Sequence, residues 1–81
     1  MSVIHTRNPE VFLSKFKMTA PVIERSKVVG DCVFEVIENE GAFAVTEFEV
    51  DEKGLDGFIS AMICRDRQQA LDSFHMKTAT R

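Results

Sequence analysis

Two turn signals bracket one strong strand pattern, and together they constrain the fold more than any other feature of the chain. Cys32-Val33-Phe34-Glu35-Val36-Ile37 is dominated by β-branched and aromatic residues, the types that suit a pleated, half-buried surface. Gly30-Asp31 precedes it and reads as a two-residue hairpin turn with Gly first. Glu38-Asn39-Glu40-Gly41 follows it. That segment fits a type I turn whose last residue is left-handed, which Gly41 adopts without strain. Ala42 to Val50 then alternates, and Val22-Ile23 and Val28-Val29 flank a polar stretch upstream. A three-stranded antiparallel meander over residues 22–50 is the expected result.

The second turn implies a register. Val36 lies opposite Ala44, Phe34 opposite Thr46 and Cys32 opposite Phe48, forming the expected core face with Val50 beyond. The other face pairs Ile37 with Phe43, Glu35 with Val45 and Val33 with Glu47, so it is apolar near the turn and acidic further down. A slip of one residue would exchange the faces of one strand. Helices flank the meander. Asn8-Pro9-Glu10 combines a cap, a pre-set first position and an acid at the positive dipole end. Phe12, Leu13 and Phe16 then share a face, predicting a helix over 9–17 that ends before Pro21. Val3 and Ile4 suggest a short edge strand. Asp51-Glu52 opens a second helical pattern, with Leu55, Phe58, Ile59, Met62 and Ile63 at helical spacing. Gly54 and Gly57 weaken it. A break is expected at Asp66, which caps a last helix through Ala70, Leu71 and Phe74. The reading is one α+β domain over 1–81: an N-terminal helix, a three-stranded meander, and one or two C-terminal helices packed on one sheet face.

At 81 residues and 9.2 kDa, with 44% apolar and 28% charged residues, the chain suits a small globular domain with a thin core. No apolar run nears the roughly 18 residues of a membrane span. The N-terminus lacks a signal-peptide pattern, so a cytoplasmic location is expected. Cys32 and Cys64 are too few for a disulfide framework and are read as reduced.

The net charge of −3 hides a segregation. Residues 1–30 carry Arg7, Lys15, Lys17, Arg25 and Lys27 against Glu10 and Glu24. Residues 31–56 carry Asp31, Glu35, Glu38, Glu40, Glu47, Glu49, Asp51, Glu52 and Asp56 against Lys53 alone. Residues 57–81 are again mildly basic, with Arg65, Arg67, Lys77 and Arg81 against Asp66 and Asp72. Such an acidic block serves either as a solvated face that keeps a hairpin from aggregating or as a surface that attracts a basic partner.

Motifs for catalysis are sparse. The glycines are scattered, so no phosphate-cradling loop is present. Cys64 and His75 would need the fold to join them, without an evident third group. His5, Cys32, Cys64 and His75 lack the close-pair spacing of zinc ligands. Glu35, Glu47 and Glu49 suit neither a walled acid–base site nor an EF-hand loop. No enzyme activity, metal or cofactor is expected.

The order helix, three strands, helix resembles a double-stranded-RNA-binding domain, with Asn8-Pro9, Pro21 and Phe34-Glu35-Val36 in comparable places. Such domains open the last helix with lysines that meet phosphates. Here that place reads Val50-Asp51-Glu52-Lys53-Gly54-Leu55-Asp56, and its acids argue against RNA. The chain also resembles small acidic anti-CRISPR proteins, the phage-encoded inhibitors of Cas9. That resemblance rests on Asn39-Glu40-Gly41, on Phe58-Ile59-Ser60-Ala61, and on Phe74, Met76, Thr78 and Thr80. It implies a helix, a meander and two helices, with strand and loop acids imitating DNA phosphates at a PAM-reading site. Carried over, it points to Glu40, Glu47, Glu49, Asp51 and Glu52, whereas Arg65 and Arg67 depart from it. The expected function is a non-enzymatic inhibitor module whose acidic hairpin occupies a basic, nucleic-acid-binding site on a larger protein. Glu35, Glu40, Phe43, Glu47, Glu49, Asp51, Glu52 and Asp56 form its contact surface, with Ile37 and Phe43 as apolar anchors. It binds no nucleic acid or membrane directly. The alternative is a homodimeric regulatory or structural protein pairing through its sheet.

Overall fold

The computed structural model describes residues 3–16, 21–52 and 54–79. Eight elements run β1 (Ile4–Thr6), α1 (Pro9–Lys15), β2 (Val22–Val29), β3 (Cys32–Asn39), β4 (Ala42–Glu49), a 3-10 turn (Leu55–Gly57), β5 (Phe58–Cys64) and α2 (Arg67–Thr78). The strands form one antiparallel sheet in the order β1-β5-β4-β3-β2. The fold is therefore α+β, with five strands rather than three and two helices.

Asn8 caps α1 as its sequence predicts: its Oδ1 accepts the Glu10 N–H at 2.9 Å, and Pro9 takes the first position. α1 ends at Lys15, with Phe16 as its extended C-cap, short of the expected boundary at 17; Thr19, Ala20, Lys53, Thr80 and Arg81 lie outside the described residues. β1 is the short edge strand suggested by Val3 and Ile4, and it pairs with β5 at residues 61–63.

The segment expected to form a second helix is strand β5. Its apolar residues follow one another without alternation because β5 is paired on both sides and covered on both faces. Met62 and Cys64 face α2, whereas Ala61 and Ile63 face α1. A doubly covered strand reads as a continuous apolar run, and such a run also satisfies helical spacing. Gly57 has a reason other than helix weakening. A Cβ there would collide with the Glu52 carbonyl, so glycine lets the chain after β4 fold back tightly before β5. Asp66 does begin a new helix. Its side chain accepts the Gln68 N–H at 3.0 Å.

The meander is present as β2-β3-β4, and Gly30-Asp31 makes the first connection. The second connection differs from the expected one. Asn39 pairs with Ala42, leaving Glu40-Gly41 as a two-residue loop with φ of 54° and 83°. Two left-handed residues make a type I′ turn, whose twist matches that of the flanking strands. The register thereby slips by one residue: Val36 faces Val45, Phe34 faces Glu47, and Cys32 faces Glu49.

This slip exchanges the faces of β4 and corrects the expected core. Phe34, Val36, Val45, Met62 and Cys64 pack with Ala70 and Phe74 of α2. Ile37, Ala44, Ala61 and Ile63 pack on the opposite face with Phe12 and Phe16. Phe12 stacks on Phe58 with ring centroids 5.4 Å apart. One helix thus covers each face, in place of helices gathered on a single face. Ile37 is buried beneath α1, and Phe43 packs against the α2 cluster. The apolar outer face expected near the turn does not exist.

Candidate functional site

The sequence-predicted contact residues separate into six places. Glu35 is buried on the α1 face of β3, and its main-chain oxygen accepts the Thr46 hydroxyl at 3.5 Å. Glu40 sits in the β3–β4 turn, beside a hollow of about 180 Å³ that Lys15 and Arg65 also line. Eight-residue strands put this turn about 25 Å from the other end of the hairpin, so Glu40 belongs to a mixed-charge end. Phe43 is half-buried and packs against the α2 cluster. Burial takes Glu35 off the expected surface, and Glu40 and Phe43 lie apart from its acidic end.

Glu47 is half-buried on the α2 face. It accepts the Ser60 Oγ–H at 3.4 Å and lines a cleft with His5, Arg7 and Lys77. The triplet Glu35, Glu47 and Glu49 is also divided: Glu35 faces away from the other two, because only every second residue of a strand shares a face.

Glu49, Asp51 and Glu52 do converge. They line a hollow of about 400 Å³ with Asp31, Gly30, Val28 and Val50. Two main-chain hydrogen bonds hold its shape: Val50 N–H to the Asp31 oxygen at 2.9 Å, and Glu52 N–H to the Glu49 oxygen at 3.3 Å. The first joins the β2–β3 turn to the end of β4. All four carboxylates are exposed, and among the described residues none forms an ion pair. Val28 is 60% exposed and Val50 41%, so apolar surface lies between the acids. Asp56 is exposed in the 3-10 turn that follows and does not line the hollow.

Asp31, Val28 and Val50 line this hollow too and are not among the contact residues expected from the sequence. The signal for Asp31 was the Gly30-Asp31 turn itself, since a two-residue hairpin sets its tip beside the end of the third strand. Val28 and Val50 read as ordinary strand residues; Val28 is exposed on the edge strand β2, and Val50 is exposed just past the end of β4.

The same end perturbs Cys32. Burial pushes its thiol pKa up, and the hydrogen bond and charge of Glu47 add to this, followed by the charges of Asp31 and Glu49. A thiol so held is a poor nucleophile at neutral pH. Cys64 is buried and donates to the Asp66 oxygen at 3.4 Å. His75 is exposed on α2 and meets the Phe74 ring edge-on at 5.8 Å. No hydrogen bond joins Cys64 to His75. Among the described residues no group of three His, Cys, Asp or Glu side chains is placed to hold a metal ion, and no helix is long and apolar enough to cross a membrane.

No protein-family model, no curated protein and no solved structure matches the chain. Phe58-Ile59-Ser60-Ala61, the segment likened to a helix of anti-CRISPR proteins, lies in strand β5.

Proposed function

We propose that the chain is a non-enzymatic protein-binding module whose acidic end occupies a basic, nucleic-acid-binding site on a larger protein, in the manner of the anti-CRISPR inhibitors. The observation that carries this reading is the gathering of Asp31, Glu49, Asp51 and Glu52 around one hollow, with Val28 and Val50 exposed between them. A fixed cluster of unpaired carboxylates competes with phosphates for Lys and Arg. It also steers a basic partner over a Debye length of about 8 Å at physiological salt. Val28 and Val50 take the anchoring role expected of Phe43 and Ile37, because an interface needs apolar contact at its centre as well as charge. Glu49, Asp51 and Glu52 remain on the surface that the resemblance indicates. Glu40 does not, and Glu47 stands apart.

The test is affinity capture from host lysate at low and high salt, using the wild-type chain and a variant with Asp31, Glu49, Asp51 and Glu52 changed to Lys. A nucleic-acid-binding protein captured in stoichiometric amount, released by salt and missed by the variant, is the expected result. Capture unaltered by charge reversal refutes the reading.

A homodimer paired through the sheet is the second reading, and the β2 edge favours it. β2 has eight residues, lies at the end of the sheet, and exposes Val22, Ile23 and Val28. The bulge at Glu24 and the cations Arg25 and Lys27 weigh against it, since both features blunt edge pairing. A monomer by light scattering at high protein concentration removes this second reading.

A further inference from the structure

A second cleft, of about 380 Å³, lies outside the acidic end and is lined in part by His5, Arg7, Glu47, Ser60, Met62 and Lys77. That volume falls in the range of about 300–1,000 Å³ typical of small-molecule sites. The cleft exists because β1 is short. β1 pairs with β5 only at residues 61–63, and the chain then turns at Arg7 toward α1. Among the described residues no strand lies beside the outer edge of Phe58–Ser60.

Charge is divided within this cleft. Arg7 and Lys77 are exposed, and among the described residues neither makes an ion pair or a side-chain hydrogen bond. Glu47 is half-buried and accepts the Ser60 hydroxyl at 3.4 Å. A carboxylate has about four lone-pair sites, so capacity remains. A simple anion would meet Arg7 and Lys77 but also Glu47. A simple cation would meet Glu47 but also both bases. A ligand bearing one charge of each sign avoids both conflicts.

We propose that the cleft binds a free α-amino acid with an aliphatic side chain. Its carboxylate lies on Arg7 and Lys77, its ammonium on Glu47, and its side chain against the half-buried Ile59, which also lines the cleft. The site is independent of the acidic end, so its failure leaves the reading of that end untouched.

The test is a set of ¹H–¹⁵N correlation titrations of the full chain with L-leucine, N-acetyl-leucine, leucinamide and inorganic phosphate, each to about 10 mM. Leucine is expected to shift the amides of residues 5–7, 59–62 and 77 saturably. The two blocked derivatives should bind about tenfold or more weakly, having lost one charge-assisted contact each. Arg7→Gln alters an exposed side chain and should weaken leucine binding about tenfold with the remaining spectrum unchanged. Glu47→Gln should weaken leucine binding to a similar extent, with its own spectral changes confined to the neighbours Ser60 and Cys32. Absence of saturable shifts with leucine overturns the proposal. So does equal binding of N-acetyl-leucine or phosphate, which indicates a plain anion site, and so does leucine binding that Arg7→Gln leaves unaltered.

Discussion

Replacing Glu40 with Asn should stabilise the protein, although it deletes an acid from the surface first expected to bind a partner. Glu40 occupies the left-handed region at φ 54°, followed by Gly41 at φ 83°. A residue with a Cβ loses about 1–2 kcal/mol in that conformation, and Asn recovers part of this by bonding locally to its own backbone. Asn-Gly is the preferred pair for a type I′ turn. The expected gain is about 0.5–1 kcal/mol. At about 4–8 °C per kcal/mol for a domain this small, Tm should rise by about 2–8 °C. Glu40→Gln is the control, since it removes the same charge beside Lys15 and Arg65 without the left-handed preference. Gly41→Ala is the converse test. A Cβ at Gly41 meets nothing within 4 Å, so its cost is purely conformational, about 1–2 kcal/mol. The assay is calorimetric or optical melting, with a two-state fit. The reasoning is specific to this turn. In a type I turn with only Gly41 left-handed, residue 40 would be right-handed and Asn would confer nothing. A Tm for Glu40→Asn equal to or below that of Glu40→Gln refutes the two-residue turn, and with it the register that separates Glu35 from Glu47.

Phe12 is 1% exposed and stacks on both Phe16 and Phe58; Phe12→Ala should cost about 3–5 kcal/mol in denaturant unfolding, and a loss under about 1 kcal/mol would place α1 elsewhere. Asp66→Ala removes the side chain that caps α2 and should cost about 1 kcal/mol, whereas an unchanged unfolding midpoint would contradict the break between β5 and α2. Arg67 pairs with Glu24 at 2.6 Å, but its side chain is 58% exposed; Arg67→Ala should therefore cost under about 1 kcal/mol in thermal melts. Cys32 has a thiol pKa raised by burial and then by Glu47, so its neutral form persists to higher pH in the folded state. Its labelling by a thiol reagent at mildly alkaline pH should be slower than that of the unfolded chain and should accelerate in Glu47→Gln. Equal rates for wild type and variant would dissociate Glu47 from the thiol.

Much of the fold was legible where local chemistry decides the outcome. Asn8-Pro9 and Asp66 cap helices because the cap acts within a few residues of its own position. Gly30-Asp31 closes its hairpin for the same local reason. Non-local decisions were harder to read. Phe58–Cys64 satisfies helical spacing and strand length alike, and only partners on both sides, β1 and β4, make it a strand. The type I′ turn places Glu40 in a conformation that its own side chain disfavours, so the twist of the paired strands outweighs the residue's preference. That single slip moved Phe43 inward and put Glu35 on the opposite face from Glu47. Glu49, Asp51 and Glu52 stayed together because they lie near the end of one strand and the turn after it, where a change of facing matters least. Asp31 joined them through a main-chain hydrogen bond between segments nearly twenty residues apart, which no local pattern announces.

The proposal that the acidic end fills a nucleic-acid site is tested most directly by competition. The captured partner would be loaded with its fluorescent DNA or RNA and titrated with this chain, and with the variant carrying Lys at positions 31, 49, 51 and 52. The account predicts stoichiometric displacement by the wild-type chain, weakening as salt rises, and no displacement by the variant. Nucleic acid that stays bound while the chain also binds, or displacement that survives the charge reversal, would contradict it.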